Sequence, residues 1–273
     1  MGQPLVSIII PMRDKVELLK NLMESLAKST YKNVEIIVVD NDSKEQETLD
    51  YLSRQENIKV MECNLPFNYS RLNNLAAKEA AGDFLIFLNN DIEVITPTWI
   101  EQMLQHAMRA SVGVVGAKLF YPNETIQHAG VILGIGGIAG HAHKYLPRHS
   151  MGYCLSLLDT KNYSAVTGAC MMVPKRVFDE VEGFDEENLL VSFNDVDLCL
   201  RLRERGYLCV WTPWAELYHH ESASRGYHVD TKEALYMQKR WSTLIDNDPY
   251  YNLHLSLERE DYSFDLTRRL LIK

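Results

Sequence analysis

Two hydrophobic periods alternate through the first half of the chain. Val6 to Ile10 is a β-branched run closed by Pro11, and after it Leu18, Leu19, Leu22, Met23 and Leu26 recur at helical spacing. Val34 to Val39 predicts a second strand, Ile58 to Met61 a shorter third, and Phe84 to Leu88 a fourth. Between the last two, residues 70–81 (SRLNNLAAKEAA) predict a helix with Leu72, Leu75, Ala76 and Ala80 inward, stopped at Gly82. Residues 98–109 predict another helix behind Thr96-Pro97, and Val112 to Val115 the next strand. Apolar strands joined by helices imply an α/β fold with a mostly parallel central sheet flanked by helices.

Beyond Gly116 the alternation fades. Residues 120–165, rich in Gly, His and aromatics but without a clear period, predict a long excursion across the ligand-binding edge. Order returns with a strand at Cys170 to Val173, a short helix opened by Pro174 and ending near Gly183, and an amphipathic helix from Asp195 to Arg205 stopped by Gly206. Short strands follow at Tyr207 to Trp211 and Glu216 to Tyr218, then a last helix over 229–246. No internal repeat interrupts this order. The simplest division is one domain over 1–227, with halves at 1–116 and 117–227, and a C-terminal helical appendage over 228–273.

Charge narrows the partners. With 28 Lys plus Arg against 37 Asp plus Glu, the net charge is −9, a poor match for a nucleic-acid backbone. Residues 228–273 hold 7 basic and 8 acidic side chains, so the tail is no polybasic membrane anchor. The sequence has no apolar stretch of membrane-spanning length and no basic n-region with a cleavage site, which predicts a soluble chain. Five scattered cysteines without a CxxC pair fit a reducing cytoplasm.

Four polar clusters could carry chemistry. Asp40 and Asp42 end the second strand, where open α/β sheets bind ligands, although a DND turn can equally cap its own backbone. Asn89-Asn90-Asp91 ends the fourth, and carboxylates there suit a hard divalent cation that bridges to phosphate. Asn194-Asp195 opens a helix, as N-terminal capping residues or as the seat of a general base. His219 and His220 are adjacent on a strand and point to opposite faces, so at most one joins a given site. His128, His141, His143 and His149 have no recognised zinc spacing. Gly134-Ile135-Gly136-Gly137-Ile138-Ala139 matches GxGxxA, but no helix opens after it, so it reads as a mobile glycine-rich loop and not a dinucleotide fingerprint.

In order, VSIIIPMRDKVELL, EIIVVDNDS, FNYSRLNNLAAKEAAGDFLIFLNNDI, SAVTGACMMVPKRVFDEVEGFDE, FNDVDLCLRLRERGY and WTPWAELYHHESASRG resemble glycosyltransferase family 2 across Leu5 to Gly226. The likeness is to the bacterial branch that builds O-antigens, rhamnose-containing chains and other cell-surface polysaccharides. It implies a GT-A fold and an inverting transfer from a UDP- or dTDP-sugar, dTDP-rhamnose being the branch's suggestion, to a glycan or lipid-linked acceptor. It implies Mg²⁺ or Mn²⁺ as cofactor and a cytoplasmic protein, peripheral at most to the inner membrane face. In that frame Pro11, Arg13, Asp40, Asn73, Asn89, Asn90 and Asp91 face the donor. Thr167, Gly168, Ala169, Asn194 and Arg225 border the acceptor and sugar. Asp195 is the catalytic base, and Asp91 with His219 or His220 holds the metal. Two departures stand out: Asn89 replaces the first acid of the family's DXD motif, and Asn194 the first acid of its ED motif. A nucleotidyltransferase-like enzyme and a non-catalytic nucleotide- or carbohydrate-binding module are the competing expectations.

Overall fold

A computed structural model describes residues 2–221 and 230–265. β1 (Val6–Met12), β2 (Val34–Asp40), β3 (Lys59–Glu62) and β4 (Phe84–Leu88) lie parallel in the order β3-β2-β1-β4. They are connected by α1 (Val16–Leu26), α2 (Gln46–Ser53) and α3 (Tyr69–Glu79). Alternate residues of a strand go to opposite faces, and both faces are covered. Ile8 and Ile10 of β1 pack with α1 on one face, whereas Ile9 packs on the other face with Leu72 and Ala76 of α3. The sequence pattern missed α2, which buries only Thr48 and Leu52 and so leaves little periodic signal.

After β4 come β5 (Ile92–Val94), α4 (Trp99–Ala107), β6 (Val112–Phe120), β7 (Ile126–His128), β8 (Val131–Leu133), β9 (Ala139–His141) and β10 (Lys161–Tyr163). The chain then forms β11 (Cys170–Pro174), α5 (Lys175–Glu180), α6 (Asn194–Glu204), β12 (Leu208–His219) and α7 (Thr231–Asp246). β11 enters antiparallel between β4 and β6, which makes the central sheet mixed. β12 lies parallel to β6 and pairs antiparallel with β5.

Three predicted features take a different form. The two short strands expected at 207–218 are one strand, β12, whose register against β6 shifts between Trp211 and Glu216. Pro213 has no N–H for the ladder, and a bulge is where a strand tolerates it. The excursion over 120–165 contains β7, the β8–β9 hairpin and β10, strands of three residues each and too short to leave a period. The GxGxxA segment is the turn of that hairpin, with Gly134, Gly136 and Gly137 at φ of 86°, 65° and 93°, values that suit glycine.

Residues 230–265, the described part of the segment 228–273 expected as an appendage, share their apolar cluster with α6 through Met237, Trp241, Ile245, Tyr251 and Leu255. Trp241 Nε1 donates to the fully buried Asp197 of α6 at 2.9 Å. Glu233 accepts from the backbone N–H groups of Val191 and Ser192 at 2.8 and 2.9 Å, which fixes the entry to α6. Asp248 accepts from the N–H of Leu133 at 2.8 Å and from the Ser164 hydroxyl. Helix α7 thus braces the element that begins at Asn194.

Candidate active site

The ends of β1 and β4 open into a cleft of about 540 Å³ lined by Pro11, Arg13, Asn89, Asn90, Asp91 and His219, with Tyr69 of α3 also in its wall. β4 puts Asn89 to Asp91 at its C-terminal end, and antiparallel β11 brings Thr167 to Ala169 beside them, so that Asn89 N donates to Ala169 O at 3.0 Å. An adjoining cavity of about 300 Å³ also touches His219 and is lined by Thr167, Gln127, His141 and Lys144.

His219 reaches this point by strand pairing. It lies opposite Ile92 in the β12–β5 ladder, and His220 N donates to Asp91 O at 2.9 Å. His219 Nε2 is 3.1 Å from Asp91 Oδ1, both residues being largely buried. Its Nδ1 is 2.7 Å from Gln127 Oε1, an obligate acceptor, so Nδ1 carries a proton. An imidazole lone pair and a carboxylate oxygen do not face each other at this distance without a proton or a cation between them. With a proton on Nε2 the pair is an ion pair, and without it the same nitrogen and oxygen fit a divalent cation; Asn89 Nδ2 stands 3.3 Å from that nitrogen. Among the described residues no group of three or more His, Cys, Asp or Glu side chains is arranged to hold a metal by itself. Further ligands would come from donor phosphate and water, as is usual for Mg²⁺. His220 turns away and pairs with Glu93 at 3.1 Å on the exposed side.

Asp195, in the first turn of α6, accepts from Gly168 N at 2.7 Å through Oδ2 and from Val196 N at 2.8 Å through Oδ1. Burial holds its carboxyl above the usual aspartate range, while the hydrogen bonds from Gly168, Val196 and Thr167 pull the other way. Asp195 lines neither cavity. Gly168 is its link to the cleft, because Gly168 O is 3.1 Å from the Tyr69 hydroxyl, which also stands 3.2 Å from Asn89 Oδ1. A Cβ on Gly168 would meet the Asp195 Cβ at 3.3 Å, so glycine permits this approach.

The remaining predicted residues are placed as follows. Asp40 is buried and its Oδ1 accepts from the backbone and hydroxyl of Ser43, the self-capping turn; it does not line the cleft. Asn73 lies fully buried one turn beyond Tyr69, its amide donating to Tyr69 O at 2.8 Å and its Oδ1 without a hydrogen-bond partner. Asn194 is buried and donates to Val191 O at 3.0 Å, in the strap held by Glu233. Arg225 lies outside the described residues.

Sequence reasoning missed the histidine pair beneath the smaller cavity. His128 is fully buried, and its Nε2 accepts from Gly130 N at 3.3 Å and Thr167 N at 3.5 Å. Its Nδ1 must then carry the proton that bridges the 2.8 Å gap to His141 Nδ1, which leaves the proton of neutral His141 on Nε2. Burial pushes His141 down to about 4 and His128 well below the usual histidine value, so both rings are neutral at pH 7. No sequence spacing marks this pair, because β7 and β9 bring it together only through the hairpin between them.

Residues 7–181 match the sequence model of glycosyl transferase family 2, and the chain belongs to that family. It is 49% identical over 96% of its length to an uncharacterized Sinorhizobium fredii protein, y4gI, and 39% identical over 95% to the O-antigen biosynthesis protein RfbC of Myxococcus xanthus. It spans only 30% and 21% of those two proteins. An N-acetylglucosaminyl-diphospho-decaprenol L-rhamnosyltransferase of Mycobacterium tuberculosis is 27% identical over 76% of this chain and 73% of its own. Among solved structures, GalNAc-T7 with UDP, GalNAc and Mn²⁺ superposes with a TM-score of 0.69 at 14% identity over 87% of this chain and 48% of its own. The Pyrobaculum calidifontis mannosyltransferase PcManGT with GDP-Man and Mn²⁺ superposes with a TM-score of 0.61 at 16% identity, over 83% of this chain and 59% of its own. The solved structures establish a GT-A fold.

Proposed function

We propose that this chain transfers a sugar from a UDP- or dTDP-linked donor to a hydroxyl of a growing cell-surface or lipid-linked glycan, with inversion at the anomeric carbon. The observation that carries the reading is the Asp91–His219 pair, 3.1 Å apart in the cleft at the ends of β1 and β4. Pro11 and Arg13 border the nucleotide, and Arg13 adds positive charge to a chain that is otherwise acidic. Asp91 and His219 would hold Mg²⁺ or Mn²⁺, which would offset the charge of the departing diphosphate. Asn73 supports Tyr69 from behind, and Asp40 shapes the β2 end of the nucleotide side.

Asp195 takes the proton of the acceptor hydroxyl as that oxygen bonds to the anomeric carbon. The bond from that carbon to the phosphate oxygen breaks, and the nucleoside diphosphate leaves with the electron pair. Gly168 fixes the orientation of the Asp195 carboxylate, while Thr167 and Ala169 border the sugar. The smaller cavity lined by Thr167 and His141 receives the acceptor. The RfbC and rhamnosyltransferase likenesses favour an O-antigen or related surface polysaccharide as product and dTDP-rhamnose as one donor to test. Work on a lipid-linked acceptor would bring the chain to the inner membrane face; no described helix is long and apolar enough to cross a membrane. Product analysis tests the reading: nucleoside diphosphate and a glycoside of inverted configuration support it, and pyrophosphate release or absence of any donor turnover contradicts it.

A further inference from the structure

A larger groove, of about 810 Å³, lies beside α4 and shares no lining residue with the cleft or the cavity that adjoins it. Its wall carries Trp214, which is 54% exposed, while Pro213 and Ala215 on either side are buried on the opposite face. This is the alternation of a strand, which leaves Trp214 on the open face of β12. The other three tryptophans, Trp99, Trp211 and Trp241, are buried.

Gln102 and Gln105 of α4 and Thr160 also line the groove and bring amides and a hydroxyl to it. The charged residues cancel. Arg148 is bound to Glu124 at 2.8 Å and to Glu216 at 2.9 Å, and Lys118 is 3.9 Å from Glu216. That last distance is beyond hydrogen-bond reach, so the ammonium of Lys118, a residue 5% exposed, has donors to give to a ligand. A flat aromatic face, neutral donors and acceptors and no net charge select a neutral ligand with apolar ring faces and hydroxyl edges. A phosphate would want uncompensated cations, and an apolar peptide would leave the amides and the lysine unpaired.

We propose that this groove binds carbohydrate, namely the already assembled part of the glycan acceptor. The proposal rests on the reading of the chain as a transferase that extends a glycan. Trp214 and Tyr218 share one face of β12, four positions and about 13 Å apart, a span of a few sugar residues, and the Tyr218 hydroxyl lies 3.2 Å from Arg148 of the groove wall. A chain whose growing end sits in the cavity near His219, the residue after Tyr218, can therefore lay its older units past Tyr218 to Trp214. This would let the protein favour long acceptors without any change in the reacting groups.

The test uses an array of rhamnose-, mannose- and N-acetylglucosamine-containing oligosaccharides, with neither donor nor metal present. Trp214 is the exposed tryptophan, so acrylamide quenching of the protein's fluorescence reports on it. The expected result is glycan binding that shields Trp214 from acrylamide, weakens by roughly tenfold or more in Trp214→Ala, and weakens also in Gln105→Ala. Normal nucleotide-dependent thermal shifts in Trp214→Ala confirm that the variant is folded and its donor site intact. Failure of every oligosaccharide to bind overturns the proposal, as does binding lost in His219→Ala but kept in Trp214→Ala. Because no donor is present, these outcomes are separate from the donor-turnover test of the transferase reading.

Discussion

His219 Nε2 stands 3.1 Å from Asp91 Oδ1 because three residues, Ile92–Val94, pair with the end of β12. That short ladder joins the strand-end acid to a histidine far along the chain. It also separates the two neighbouring histidines, since His220 pairs with Glu93 at the surface. His219→Ala is predicted to lower cation-activated transfer by about 100-fold or more, at or above the upper end for losing an outer-shell partner. His220→Ala is predicted to change it by less than about fivefold, as for loss of an exposed ion pair. Rates measured against Mn²⁺ concentration decide between them; equal effects would remove His219 as a ligand.

Gln127 acts on the same site indirectly by accepting from His219 Nδ1 at 2.7 Å. Gln127→Ala is predicted to raise the Mn²⁺ concentration needed for half-activation by about 10–100-fold. Maximal rate at saturating metal stays near wild type. A fall in maximal rate with unchanged metal dependence would contradict this positioning role.

Asp195 supplies a pH signature. Its carboxyl is raised by burial, and the base must be ionised to accept a proton, so kcat/KM is predicted to fall as pH drops through a value above the ordinary aspartate figure of about 4. Asp195→Asn is predicted to reduce transfer by about 10²–10⁴-fold while donor binding persists. A pH–rate profile of the wild-type protein checks the first point, and single-turnover transfer by the variant checks the second. Undiminished transfer by Asp195→Asn would rule Asp195 out as the base.

Much of this arrangement is legible in the chain alone, for identifiable reasons. The strands at Val6, Val34 and Phe84 are continuous apolar runs because both of their faces are covered, and the polar residues that follow them mark the ligand edge. The parity of a strand already separates His219 from His220. Three-residue strands such as β5 and β7 carry no such signal, and they are the ones that deliver His219, Gln127 and His128 to the site. The break at Pro213 reads as a strand end because the pattern does not distinguish a bulge from a termination. Asp40 looks like a ligand contact in sequence, yet its Oδ1 is engaged with Ser43, the alternative that a DND turn always offers.

The fixed tautomer of the histidine pair can be read by NMR. His141 is predicted to be neutral with its proton on Nε2, its ring signals still around neutrality and moving only near pH 4. Long-range nitrogen–proton spectra identify the protonated nitrogen. Titration near the usual histidine value of about 6.5 would contradict the burial and the bond from His128.

The brace from α7 has an energetic consequence. Trp241→Phe keeps most of the apolar contact but leaves Asp197, which is fully buried and paired with Arg201 at 2.7 Å, without its indole donor. A loss of about 1–3 kcal/mol is predicted. Urea unfolding followed by circular dichroism measures it, and an unchanged midpoint would show that α7 does not stabilise α6 through this bond.

The most direct test of the central claim is cation-dependent release of nucleoside diphosphate, measured across UDP- and dTDP-sugars with a glycan acceptor, for wild type and Asp91→Asn. The account predicts release by the wild-type protein only with Mg²⁺ or Mn²⁺, coupled to an inverted glycoside, and release lowered by about 100-fold or more in Asp91→Asn. Transfer that proceeds equally without a cation, or equally well in Asp91→Asn, would contradict it.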